Sequence, residues 1–171
     1  MLIKGYPFIF LITLLLWTSV AQATHIRAGE ITIERKNCQS LTFTIYITAY
    51  LDPMGNGCGG AVPFGGGTLD FGDGSSRIEG LSDSPLVDTV FVNTPLGDCI
   101  VGTRFKVEHT YSSNGTYFVQ YTEANRNDGI LNMDNSVNTR FYIESILRID
   151  PFLGCNNSPI MLIPPIDYGC K

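Results

Sequence analysis

The segment Leu41–Tyr50 alternates without a break. Leu41, Phe43, Ile45, Ile47 and Ala49 take one parity, while Thr42, Thr44, Tyr46, Thr48 and Tyr50 take the other. Successive side chains of an extended chain point to opposite faces. A period of two in β-branched and aromatic residues therefore predicts a strand buried on one face only. Shorter runs of the same kind predict strands at Ile26–Glu34, Leu86–Val92, Arg104–His109, Thr116–Thr122 and Arg140–Ile149. No window beyond the first residues repeats with a helical period. About seven short strands, punctuated by glycine and proline, predict one all-β sandwich domain over residues 24–150.

Three stretches depart from this rhythm. Lys4 precedes an apolar run from Tyr6 to Trp17, closed by the small-residue site Ala21-Gln22-Ala23. The run is shorter than the roughly 20 apolar residues that span a bilayer. Its order of charge, apolar stretch and small residues is that of an export signal, residues 1–23, cut after Ala23. The expectation is a secreted or cell-surface protein with no transmembrane span in the mature chain. Met54–Gly67 carries Gly55, Gly57, Gly59, Gly60, Gly65, Gly66 and Gly67, which predicts an exposed loop. From Pro151 the texture becomes proline-bounded. Residues 151–171 are expected to form an extended tail or linker to a further C-terminal region of a longer protein.

Charge and cysteines narrow the partners. Sixteen acidic residues against 11 basic ones give a net charge of −5, with no basic stripe to attract nucleic acid. An exported chain meets an oxidising compartment, where disulfides are the default for Cys38, Cys58, Cys99, Cys155 and Cys170. An odd number leaves at least one without an internal partner. The favoured pair is Cys155–Cys170, which closes a short proline-containing loop worth about 3 kcal/mol in the chain-entropy model. No CxxC pair exists, and only His25 and His109 could add nitrogen ligands, so a zinc site does not fit.

The most specific local signal is Leu69-Asp70-Phe71-Gly72-Asp73-Gly74, a strand end entering a tight turn with Phe71 as its buried residue. Further on come His109-Thr110-Tyr111 and then Gly115-Thr116-Tyr117-Phe118-Val119-Gln120-Tyr121. Together these resemble the PKD domain family, with its D-F-G-D-G segment followed by H-x-Y and G-x-Y-x-V. The resemblance covers Leu69 to Thr122 and departs from the family by the long insertion Ile78–Val107, which contains Cys99. It implies an immunoglobulin-like β-sandwich of the kind used as an adhesive or spacer module. On it, Asp70, Phe71, Gly72, Asp73, Gly74, His109, Tyr111, Gly115 and Tyr117 are structural motif residues. A wider series runs from Thr24-His25-Ile26-Arg27-Ala28-Gly29-Glu30-Ile31 through Asn125–Ser136 to Asp150-Pro151-Phe152-Leu153-Gly154, Asn157-Ser158-Pro159 and Pro164-Pro165-Ile166-Asp167. It resembles the N-terminal region of large exported Bacteroidetes proteins that end in a gliding-motility-associated sorting domain. That sorting domain is missing from this chain.

Candidate chemistry is sparse. Asp128, Asn132 and Asp134 offer hard oxygen ligands for calcium, although the EF-hand spacing puts Ala124 where the first carboxylate belongs. The competing reading is a polar loop whose Asn, Asp and Gly residues serve turn geometry. His109 could join a Ser-His-Asp site, but no G-x-S-x-G elbow exists, and a strand residue fixing the turn to Tyr111 is favoured. Asp70 and Asp73 lie too close in one turn to flank a sugar ring as a glycosidase pair. His25 would bind copper at the mature N-terminus only if cleavage fell after Thr24. Tyr46, Tyr50, Tyr117, Tyr121 and Tyr142 could form a platform for glycan rings, with cross-strand packing as the favoured alternative. The sequence therefore predicts a non-catalytic exported surface or adhesion module facing an extracellular protein or glycan surface. The second reading is a carbohydrate-binding accessory module of a secreted hydrolase.

Overall fold

The computed structural model describes residues 26–51, 66–78, 86–93, 99–124, 126, 130, 132–155 and 157–159; for 86–93 only the backbone is considered. The expected signal segment, His25, Cys58, Asp128, Cys170 and most of the glycine-rich loop lie outside the described residues.

Among the described residues, eight strands and one short 3-10 turn (Ser136–Asn138) follow in order. The strands are β1 (Ile26–Arg35), β2 (Thr42–Leu51), β3 (Thr68–Asp70), β4 (Ser76–Ile78), β5 (Leu86–Asn93), β6 (Cys99–Thr110), β7 (Gly115–Glu123) and β8 (Phe141–Ile149). They form two antiparallel sheets, ordered β1-β2-β6-β5 and β4-β3-β7-β8. The chain is all-β, and the inner faces of both sheets share one core. Every long run expected from alternation appears as a strand. The difference lies in β6, which starts at Cys99 rather than Arg104. Its residues 99 and 100 pair with β5 alone, residues 101–105 pair with both β2 and β5, and Gly102 lies opposite Tyr50.

Register builds the core in layers. Ile33, Ile45 and Val107 align across β1, β2 and β6, as do Ile31, Ile47 and Phe105. The next layer, Gly29–Ala49–Thr103, is small for a reason. A Cβ on Gly29 would come within 2.8 Å of the Phe141 ring of the opposite sheet. From that sheet Leu69, Tyr117, Val119, Tyr121, Phe141, Leu147 and Ile149 face inward and are buried. Each such side chain contributes about 1.5–3 kcal/mol by leaving water.

The half-buried reading of β2 needs correction. Thr44, Thr48 and Tyr50, on its outward parity, are also buried. The strand is central, and long polar side chains lie across its outer face. Arg104 donates from Nε to Thr48 Oγ1 at 3.3 Å and sits 5.6 Å from the Tyr46 ring centre, while Tyr50 reaches Glu30.

A second correction concerns the cysteines. Cys38, in the β1–β2 turn, is bonded to Cys155 across a sequence separation of 117, with Cα atoms 4.9 Å apart. The expected Cys155–Cys170 bridge is thereby excluded, because one sulfur cannot serve both. The reason is the path of the chain after β8, which folds back along the outer edge of β1 at the start of the expected tail. Ser158 N donates to Ile33 O at 2.9 Å, Ile33 N donates to Ser158 Oγ at 3.0 Å, and Arg35 N donates to Asn157 Oδ1 at 2.8 Å. These bonds occupy part of an otherwise unpaired strand edge, the usual site of unwanted pairing. Non-reducing peptide mapping should recover a linked Cys38–Cys155 pair. Cys38→Ser should lower unfolding stability by about 2–5 kcal/mol in denaturant titrations under oxidising conditions.

Candidate functional site

The motif residues converge where the β3–β4 turn meets the end of β6. Asp70 ends β3 and its Oδ1 accepts from Gly72 N at 2.8 Å. Asp73 Oδ1 accepts from Ser75 N at 3.0 Å and also from the Ser75 hydroxyl. Gly72 and Gly74 take φ of +80° and +88°, the left-handed region that a side chain disfavours. Phe71 N closes the turn on Ser75 O at 3.1 Å. The turn thus delivers the second Asp73 oxygen to His109 of β6, with Nε2 to Oδ2 at 2.7 Å. Their side chains are only 17% and 18% exposed, although the Asp73 backbone lies open in the turn.

Aromatic packing completes the cluster. The Phe71 and His109 rings stack with centres 3.9 Å apart and planes within 7°, and Tyr111 meets His109 edge-on at 4.7 Å. Tyr111 also packs on Phe43 and Tyr117, and its buried hydroxyl donates to Phe71 O at 3.0 Å. Burial, with help from the Asp73 charge, holds the Tyr111 phenol well above its ordinary range. Tyr117, just after Gly115 at the start of β7, donates to Ser113 O at 2.9 Å. The described motif residues therefore sit together, and Asp73, His109, Tyr111 and Tyr117 spend polar atoms on this cluster.

This arrangement is not a nucleophilic relay. A Ser-His-Asp relay places the imidazole between hydroxyl and carboxylate. Here Asp73 is the central group, with Ser75 on one oxygen and His109 on the other. Nor do Asp70 and Asp73 face each other across a cleft, since each holds its own turn amide.

Of the calcium candidates, Asn132 and Asp134 are exposed residues of the turn before Ser136, and Asp128 lies outside the described residues. Within that turn Met133 N donates to Ile130 O, and Asn135 takes a left-handed backbone with φ of 53°. Among the described residues no three His, Cys, Asp or Glu side chains gather as a metal-binding group. No helix among them is long and apolar enough to cross a membrane.

The tyrosine row divides in a way that alternation alone did not reveal. Tyr50, Tyr117 and Tyr121 are buried, Tyr46 is half-buried on the outer face of β2, and Tyr142 is 46% exposed on the outer face of β8. The five therefore do not form one platform, because they lie on different faces. What sequence reasoning missed is the set of polar residues around Tyr142. Pairing aligns Thr68 with Thr122 and Tyr142, and Asp70 with Gln120 and Glu144. Gln120 Nε2 and the Tyr142 hydroxyl both donate to Glu144 Oε2, at 2.8 and 2.6 Å, and this bond raises the Tyr142 phenol above its ordinary value. The alternation of β7 hinted at Gln120 and Thr122, but no sequence signal placed β3 beside β7.

Two tests follow from the turn. Gly74→Ala, with open space at its Cβ, should cost about 1–2 kcal/mol for the backbone alone. Gly72→Ala should cost clearly more in the same denaturant titration, because its Cβ would lie 2.6 Å from Phe118 N. For pH, burial opposes ionisation of Asp73, yet the Ser75 and His109 bonds outweigh it and lower its pKa. A lowered folded value means stability present above the unfolded carboxylate value of about 4 and lost as pH falls through the folded value. Melting temperature should therefore fall in acid below about pH 4, and Asp73→Asn should flatten that limb. No protein-family model, curated protein or solved structure matches the chain.

Proposed function

We propose that this chain is an immunoglobulin-like sandwich of the PKD type, acting as a non-catalytic surface or adhesion module of a larger exported protein. Strand order supports the fold type. With the strands lettered in chain order, β1-β2-β6-β5 corresponds to A-B-E-D and β4-β3-β7-β8 to C′-C-F-G, the immunoglobulin arrangement. The Tyr117 hydroxyl bonds backward to Ser113 O at the turn entering strand F, in the manner of the tyrosine corner of such domains.

One observation carries the functional reading: the most distinctive polar groups of the chain, Asp73 and His109, are spent on tying one sheet to the other. Such a tie suits a spacer that must hold its shape under load. The Cys38–Cys155 bond adds a covalent closure and fits an oxidising, extracellular compartment. Partners would be an extracellular protein or glycan surface met by loops and sheet faces, with no nucleic acid involved.

The test uses the native gene. Antibody labelling of intact cells should detect the protein outside the cell, and removing the gene should reduce attachment to surfaces severalfold. Retention inside the cell, or unchanged attachment, would overturn the reading.

A further inference from the structure

The outer face of the β4-β3-β7-β8 sheet carries chemistry that the sheet-to-sheet tie does not use. A groove of about 460 Å³ runs over it, lined by Thr68, Asp70, Gln120, Thr122 and Arg140 among others. We propose that this face binds a neutral polysaccharide chain, with Tyr142 as the stacking ring and the two cross-strand rows as the hydroxyl-reading groups. The inference rests on the surface-module reading and names its partner class.

Spacing is the first argument. Neighbouring strands lie about 4.8 Å apart. The row from Thr68 through Thr122 to Tyr142 crosses two such steps, so hydrogen-bonding groups recur on the scale of a sugar ring. The row Asp70–Gln120–Glu144 runs beside it, offering carboxylate and amide groups that can engage neighbouring hydroxyls in pairs.

Preorganisation is the second. Glu144 Oε2 accepts from both Gln120 and Tyr142, so three of these side chains are already oriented. A site whose rotamers are set beforehand loses less entropy on binding. Tyr142, 46% exposed, keeps its ring available while its hydroxyl is tied down. An aromatic ring with an apolar face and a polar tip suits a surface that is apolar on one side and wet on the other.

Charge is the third. Along the groove Arg140 stands beside the carboxylates of Asp70 and Glu123, with Glu144 next to them on the same sheet, which disfavours an anionic ligand. Phe118 and Ile146, 47% and 62% exposed and directly paired, extend the face with an apolar step for the next ring.

The experiment is affinity gel electrophoresis of the oxidised protein through soluble neutral polysaccharides (a glucan, a xylan, a mannan and a galactan) and one anionic polysaccharide (a polygalacturonate), with calorimetry on any that retard it. At least one should retard the protein. Tyr142→Ala and Gln120→Ala should each weaken that binding about tenfold or more, equivalent to about 1.4 kcal/mol. Tyr46→Ala, on the other sheet, should leave it unchanged, and near-UV circular dichroism checks that each variant is folded. Overturning results are no retardation in any gel, retardation only by an anionic polysaccharide, or binding indifferent to both substitutions. Binding only to a protein partner through Phe118 and Ile146 would overturn it equally. Cell-surface labelling is independent of these gels, so failure of glycan binding is distinguishable from failure of the surface-module reading.

Discussion

The carboxylate of Asp73 crosses from the β3–β4 turn of one sheet to His109 on β6 of the other, and much of the molecule is arranged around that contact. The turn must be tight enough to present the oxygen, which is why Gly72 and Gly74 adopt positive φ. The imidazole must be held at a fixed height, which the Phe71 ring achieves by stacking on it. Tyr111 then ties the turn backbone to the end of β6 through its buried hydroxyl. A partly covered hydrogen bond to a carboxylate is worth more than an exposed one because water competes for it less. It also fixes which residues of the two sheets face each other, something apolar packing alone specifies loosely.

The disulfide and the returning chain act at the far edge of the other sheet. Cys155 is carried to Cys38 by a segment that also bonds the exposed edge of β1 at Ile33 and Arg35. One short stretch thus closes the longest loop in the described chain and covers an edge at once. The two devices, a side-chain hydrogen bond and a disulfide, lie on different elements. The outer face of β3, β7 and β8 takes no part in either device. There the polar residues are arranged by register, with Glu144 held between Gln120 and Tyr142.

Much of this was legible in the sequence for a simple reason. Strand geometry has a period of two, and Leu41–Tyr50 or Thr116–Thr122 cannot hide it. The Asp-Gly turn and the H-x-Y segment were equally readable, because local backbone demands select Gly and Asp directly. Alternation says only that two parities differ, however. It could not tell that β2 is central and buried on both faces, nor that Tyr117 and Tyr121 face inward while Tyr142 faces out.

Local periodicity and turn chemistry by themselves determined an all-β chain, the positions of its long strands and the D-F-G-D-G turn. Tertiary structure decided which strands became neighbours, that Asp73 meets His109, that Cys155 takes Cys38, and that Thr68, Gln120 and Glu144 share one face. The physical reason is range. Backbone preferences act over a few residues and are written at each position, whereas these pairings join residues tens of positions apart, and only the closing of both sheets around a common core selects them.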